Sequence, residues 1–310
     1  AILSWLRGGT AITTVGASMI FAAVSGSGAA TISAIGGITV PEMLKKGYSR
    51  GFTAAMSAGA GSLGPIIPPS VDMIVFGCIT GFSISRLFVG GIIPGFIIGL
   101  SLMIYCYIYA KKRNIDYGGK FRGKVVWAAF KDSIWALLMP IIIIGGVMGG
   151  AFTATEAGAV ACVYGLIVSV FVYKSMSFKD FINVLRSASV NMAMVMMIIG
   201  FSSIFSYIFA LEGMGQKIVD FMLSITTSPT GLFFLVIAFM VVIGCFMESL
   251  AALPIILPII YPMFASLGVN LNQLGVVFAL STVLGGLTPP VGIYPVSYTH
   301  LRAHETDQYL

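Results

Sequence analysis

The apolar residues of this chain fall in long blocks, not on alternating positions or along one helical face. Blocks at 86–110, 134–151, 155–173 and 188–210 each approach or exceed the roughly 20 apolar residues that a helix needs to cross a bilayer. Four other blocks are interrupted by Gly, Pro and Ser. Residues 9–44 break at Ser25-Gly-Ser-Gly28, and 51–79 break at Gly61-Ser-Leu-Gly-Pro-Ile-Ile-Pro-Pro-Ser70. Residues 229–266 break around Met247-Glu-Ser249, and 270–294 break at Gly285-Gly-Leu-Thr-Pro-Pro-Val-Gly292. The pattern predicts an all-α membrane protein.

Basic residues orient these blocks, because cytoplasmic loops carry the excess of Lys and Arg. Arg7 precedes the block 9–44, and Lys45, Lys46 and Arg50 follow it. Both ends therefore belong on the cytoplasmic side, which makes 9–44 a re-entrant hairpin. Block 51–79 then crosses outward as a broken helix, and 86–110 returns to a basic loop and amphipathic arm at 111–133. Blocks 134–151 and 155–173 go out and back to Lys174, Lys179 and Arg186, and 188–210 exits to a loop poor in cations (Glu212, Lys217, Asp220). The second hairpin, 229–266, then opens to the outer face, opposite to the first, and 270–294 is the second broken helix.

A shift of 221 residues aligns the two regions without a gap. Pro41 meets Pro262, Gly47 meets Gly268, Ala58 meets Ala279, Leu63-Gly64 meets Leu284-Gly285, and Pro68-Pro69 meets Pro289-Pro290. We read residues 1–110 as a first repeat and 134–294 as a second, inverted one, an organisation expected of secondary transporters.

Composition agrees with a lipid solvent. Of 310 residues, 58% are hydrophobic and 9% charged, against about a quarter charged in soluble domains, and mean hydropathy is +1.00. The net charge of +6 sits in short loops and does not signal nucleic acid. The four cysteines (Cys78, Cys106, Cys162, Cys245) stand singly, without metal-ligand spacing. The chain opens at Ala1 already in membrane-type sequence, with no initiator Met or signal peptide, so we expect residues upstream of it. From Val296 the text changes to Ser-Tyr-Thr-His-Leu-Arg-Ala-His-Glu-Thr306 and on to Leu310. This string resembles the translation of a sequencing adapter, and we set 295–310 aside as a non-native tail. Both histidines lie there, so the remainder offers neither a Ser–His pair nor a zinc site, and an intramembrane enzyme is disfavoured.

Broken helices carry the candidate chemistry. Unpaired backbone groups cost several kcal/mol each in hydrocarbon, so breaks persist where protein buries them or where they line a site. Freed carbonyls and helix C-termini suit a cation, and helix N-termini suit a carboxylate. Ser25, Ser27 and Thr288 add hydroxyl oxygens fit for Na⁺. Glu248 lies at a hairpin tip, where an acid points to ion binding or gating. Glu156 has a helix-start reading, with Thr155 as the cap, beside a transport reading.

The motifs Ser25-Gly-Ser-Gly-Ala-Ala-Thr31, Gly64-Pro-Ile-Ile-Pro-Pro-Ser70, Thr153-Ala-Thr-Glu-Ala-Gly158, Met247-Glu-Ser249 and Gly286-Leu-Thr-Pro-Pro-Val-Gly292 carry a resemblance along residues 1–294. The chain resembles the large membrane subunit of tripartite ATP-independent periplasmic (TRAP) transporters, short of that family's early helices and of the part after the second Pro-Pro. The resemblance implies a multi-pass protein of the bacterial inner membrane with an elevator-type fold and no cofactor beyond Na⁺ as coupling ion. It implies import of a small organic anion, a C4-dicarboxylate or sugar acid, delivered by a periplasmic binding protein and shared with a small membrane subunit. Carried over, Ser25, Gly26, Ser27, Gly28 and Thr31 with Ser62, Gly64, Pro65, Pro68 and Pro69 would frame one Na⁺ site. Glu248 and Ser249 with Gly285, Gly286, Thr288, Pro289 and Pro290 would frame the other, with substrate between the hairpin tips. Asp72 stands where the resemblance implies an apolar or small residue; an ion contact, a substrate contact, a neutral cavity acid and a plain variant near the outer interface all remain open for it. A divalent-anion/Na⁺ symporter that needs no binding protein, or a channel, are the alternative functions.

Overall fold

The computed structural model describes residues 3, 5–116, 123–288, 292, 294 and 295. Among them the chain is helical, in the order α1 (Gly9–Ser25), α2 (Gly28–Thr31), α3 (Gly37–Lys45), α4 (Arg50–Gly61), α5 (Val71–Thr80), α6 (Ile84–Arg113) and α7 (Gly123–Met148). Then follow α8 (Ala154–Ile167), α9 (Phe178–Leu211), α10 (Met214–Ile225), α11 (Pro229–Gly244), α12 (Ser249–Ser266) and α13 (Leu271–Leu287). Short π-helical turns, Ile32–Gly36 and Val168–Val172, lead into α3 and out of α8. Among the described residues, five helices are long and apolar enough to cross a membrane: Ile84–Arg113, Gly123–Met148, Ala154–Val172, Phe178–Leu211 and Ser249–Ser266.

The chain forms two compact units, neither continuous in sequence. The first takes Ala1–Val71, Phe88–Pro140 and Gly286–Leu310; the second takes Asp72–Leu87 and Ile141–Gly285. In the first, Ala11, Ile12 and Val15 of α1 pack with Phe52, Met56 and Ala60 of α4 and with Cys106 and Ala110 of α6. Stacked rings close one end, Phe52 lying 3.7 Å from Tyr109 between centroids. In the second, α12 buries Leu253, Ile256, Leu257, Ile260 and Phe264, and α11 and α13 bury Met240 and Phe278. Prolines at 254, 258 and 262 recur every fourth residue of α12. They remove the helical N–H partners of the Leu250, Pro254 and Pro258 carbonyls, along a single stripe of the helix.

Asp116 ties the first unit together. Its Oδ2 accepts from Thr10 N at 2.9 Å and from the Tyr48 hydroxyl at 3.1 Å. Its carbonyl accepts from Gly8 N at 3.0 Å. Burial, and then the Asp116 charge and hydrogen bond, push the Tyr48 phenol well above its ordinary range, so it remains a donor at neutral pH. Asp116→Ala is expected to lower stability by about 1–3 kcal/mol, the penalty for stranding buried donors. The melting midpoint of the purified protein in detergent checks this, with Tyr48→Phe giving a smaller drop.

Several expected boundaries move. The arm predicted at 111–133 is helical from Gly123, so α7 starts well before residue 134. The span expected from 188 begins at Phe178, because Ser177 and Asp180 form a reciprocal capping box that starts the helix almost three turns earlier. The cation-poor loop expected on the outer face holds α10, an amphipathic helix that the block pattern did not show. Gly285 and Gly286, expected in a break, lie inside α13. Glycine within a helix costs only about 1 kcal/mol, and close packing there offsets it. Pro289 and Pro290, the stronger breakers, lie outside the described residues.

Candidate functional site

In the first unit the tip of the chain between α1 and α2 sits against the break after α4. Gly26 adopts the left-handed region (φ +62°), and its amide donates back to Ala22 O. A Cβ there would strike the Pro69 carbonyl oxygen, and Val71 N donates to Gly26 O at 3.4 Å. Gly64 meets the same tip: a Cβ on it would lie 2.6 Å from Ser27 O and 2.8 Å from Gly28 N. Glycine is needed at both places because backbone faces backbone.

Hydroxyls knit the tip. Thr31 Oγ1 donates to Ser27 O at 2.8 Å and lies 3.1 Å from Ser25 Oγ, while Ser27 caps α2 by accepting from Ala30 N. Ser62 donates to Gly59 O at 2.8 Å, and Ser70 donates to Pro65 O. The Pro68–Pro69 peptide is cis. Of the residues predicted for this site, Gly26 meets Pro69, Ser27 and Gly28 meet Gly64, and Ser25 and Thr31 join them through hydrogen bonds within the tip. The sequence reading missed Tyr294, whose ring covers Gly28 and stands 2.9 Å from where a Gly286 Cβ would be. Gly286, expected at the second site, thus packs beside the first hairpin tip, and nothing in the local pattern around Tyr294 signalled this.

In the second unit α11 and α12 are separated by Cys245–Glu248. Glu248 occupies the N-cap position of α12 but makes no side-chain cap and is exposed. The next residue, Ser249, donates its hydroxyl to Asp72 Oδ1 at 3.0 Å. Thr282 of α13 stands 3.3 Å from Asp72 Oδ2. Asp72 and Thr282 are both 5% exposed. Gly285 and Gly244 are in near-backbone contact, a Cβ on Gly285 falling 2.6 Å from Gly244 Cα. Asp72 is therefore brought to the predicted Ser249, and Thr282 is a partner that sequence reasoning missed. Thr288 follows α13 and is exposed.

Glu156 belongs to neither cluster. It is exposed and closes a capping box, accepting from Thr153 N at 2.8 Å and Thr153 Oγ1 at 2.9 Å. The cap is thus Thr153, not Thr155, because the box needs an acid three residues after the cap; the Thr-x-x-Glu spacing was there to be read.

The groups gathered at both clusters are hydroxyl, carbonyl and carboxylate oxygens, which suit a hard cation such as Na⁺ and not a soft metal. Among the described residues, no three His, Cys, Asp or Glu side chains gather as a metal centre.

The profile of the family described as "Tripartite ATP-independent periplasmic transporter, DctM component" matches residues 1–298. The chain belongs to this family. The DctM family is one of transporter permeases, and this member is a multi-pass membrane protein, as its apolar helices require. It is 40% identical over 295 residues to the isethionate TRAP transporter permease protein DctMQ of Oleidesulfovibrio alaskensis, covering 94% of this chain and 46% of that one. It is 36% identical over 293 residues to the C4-dicarboxylate TRAP transporter large permease protein DctM of Pseudomonas aeruginosa, covering 94% and 69%. To the ectoine/5-hydroxyectoine large permease UehC of Ruegeria pomeroyi it is 34% identical over 298 residues, covering 94% and 68%. This DctM-family chain spans about half to two-thirds of the lengths of these relatives.

Proposed function

We propose that this chain forms the transport path of a Na⁺-coupled importer in the bacterial inner membrane. In this reading it takes a small organic anion, a C4-dicarboxylate or a sugar acid, from a periplasmic binding protein and works beside a small membrane subunit. The observation that carries the proposal is the seating of each hairpin tip on oxygen-rich, glycine-tight neighbours: Gly26–Gly28 on Pro69 and Gly64, and Ser249 on Asp72, which Thr282 also meets. Relatives named for isethionate and for C4-dicarboxylate support an anionic substrate.

The inverted-repeat, elevator-type reading belongs here too. Gly47 and Gly268, paired by the 221-residue shift, both adopt positive φ (88° and 66°) just after a hairpin and just before the next helix. Gly64 and Gly285, also paired, each press on the backbone of a hairpin segment. Agreement of backbone conformation at aligned positions supports two copies of one unit.

Uptake of a radiolabelled dicarboxylate into liposomes tests the function. The full-length permease, its small subunit and the binding protein are expected to give saturable uptake that requires an inward Na⁺ gradient. Gradient-independent uptake would reject coupling, and full activity without the binding protein would favour the simpler symporter.

A further inference from the structure

Helix α7 begins with charged sequence and continues in apolar sequence. Its 26 residues make a rod of about 39 Å at 1.5 Å per residue, longer than the roughly 30 Å hydrocarbon core of a bilayer. The surplus falls at the N-terminal end, because residues 134–148 hold no charge and the turns before them hold Lys124, Lys131 and Asp132. Those first turns stand at the depth of the lipid headgroups.

One face of these turns alternates two chemistries. Lys124, Trp127, Lys131 and Trp135 follow one another at spacings of three, four and four residues, which sets them along a single stripe. All four are exposed, Trp127 by 70% and Trp135 by 44%. The Phe130 ring stacks on Trp127 with centroids 6.1 Å apart. Neither lysine forms an ion pair among the described residues. Asp132 follows Lys131 and so lies about 100° around the helix from it. The end of α6 adds exposed Lys111, Lys112 and Arg113, joined to α7 only through residues 114–122. Asp116, the acid between α6 and α7, is buried and turned to Thr10 and Tyr48.

Loop charge alone would suffice to orient a membrane helix. A stripe on a helix offers more. Lysine presents a point charge to phosphate, and indole combines an N–H donor with an apolar body, which suits it to the headgroup level. Interleaved at one-turn intervals, the two match a molecule with phosphate at one end and hydrocarbon at the other. The expected orientation puts this face on the cytoplasmic side, where the leaflet carries anionic lipid. We propose that Lys124, Trp127, Lys131 and Trp135 of α7 form a binding site for anionic phospholipid, with its phosphate on the lysines and its chains against the indoles. Bound lipid fixes the depth of α7 in the bilayer. The inference needs only that the chain spans a membrane, whatever ion couples transport.

Thermal unfolding of the purified full-length permease in detergent, titrated with phosphatidylglycerol or with phosphatidylcholine, tests this. Phosphatidylglycerol is expected to stabilise at the lower concentration, and high salt should narrow the difference. Lys131→Gln should raise the half-saturating phosphatidylglycerol concentration about fivefold, and Lys124→Gln with Lys131→Gln about twentyfold or more. The phosphatidylcholine response should stay as it was in both. Lys124→Arg with Lys131→Arg should keep the natural preference, and Trp127→Ala should weaken the response to both lipids. Glycerol phosphate, the headgroup without chains, should not stabilise. A natural protein that does not distinguish the two lipids overturns the proposal, as does a Lys124→Gln, Lys131→Gln variant that keeps the natural preference. If that variant keeps its lipid preference but no longer purifies with the small membrane subunit, the stripe is a protein contact and the proposal also fails.

Discussion

Gly64→Ala is expected to abolish uptake by the full-length permease while leaving its helix content nearly intact. The added methyl would sit 2.6 Å from both the carbonyl carbon and oxygen of Ser27 and 2.8 Å from Gly28 N. These are backbone atoms at a hairpin tip, so no side-chain rotation relieves the overlap. Either the tip lifts from the break after α4 or the break itself shifts. Overpacking of this kind costs about 1–3 kcal/mol, and the upper end applies where backbone must move. Lifting the tip also separates Ser27 and Gly28 from Gly64 and Gly26 from Pro69. Gly59→Ala, one turn earlier in α4, is the control. Its nearest neighbour is Leu102 at 3.8 Å, an ordinary contact, and alanine favours the helix by about 1 kcal/mol. Uptake at the natural level in Gly64→Ala would show that the tip does not need this seat.

Gly285→Ala should have a comparable effect in the second unit. Its methyl would lie 2.6 Å from Gly244 Cα, 2.9 Å from Gly244 C and 3.0 Å from Val241 O. Helix α13 would then have to move away from α11, and Thr282, one turn back on α13, would be drawn off Asp72. We expect a stability loss of about 2–3 kcal/mol and uptake reduced to background. Gly200→Ala serves as the comparison: it lies in α9 with nothing within 4 Å of the added carbon. A melting midpoint for Gly285→Ala equal to that of Gly200→Ala would mean the α11–α13 contact is not needed.

How far the site was legible can be judged from particular residues. The hairpin tips showed in the chain because Ser25-Gly-Ser-Gly28 and Met247-Glu-Ser249 interrupt otherwise apolar blocks, and an interruption inside a membrane-length run is a local signal. Gly64 and Pro69 were legible for the same reason. The role of Glu156 was half legible: its place at a helix start was read, its partner was not, although Thr153 stood at the right spacing. Helix α10 escaped because its apolar and polar residues alternate with a helical period too short in extent to form a block. Thr282 and Tyr294 could not be found at all. Each is an ordinary residue in an ordinary run, and it acquires a role only by standing beside Asp72 or Gly28, at sequence separations of 210 and 266 residues.

By itself the sequence determined the solvent and the element type. A chain with so few charges must place its helices in lipid, and hydrocarbon leaves the backbone no partner but itself, so the apolar blocks had to be helices and their Gly-Pro interruptions had to matter. Which interruption seats on which neighbour was decided by tertiary structure alone. So was the placing of Asp72–Leu87 with the second hairpin, and of Gly286 and Tyr294 with the first. Those pairings depend on close backbone approach and on single hydrogen bonds between distant segments, and neither leaves a periodic trace along the chain.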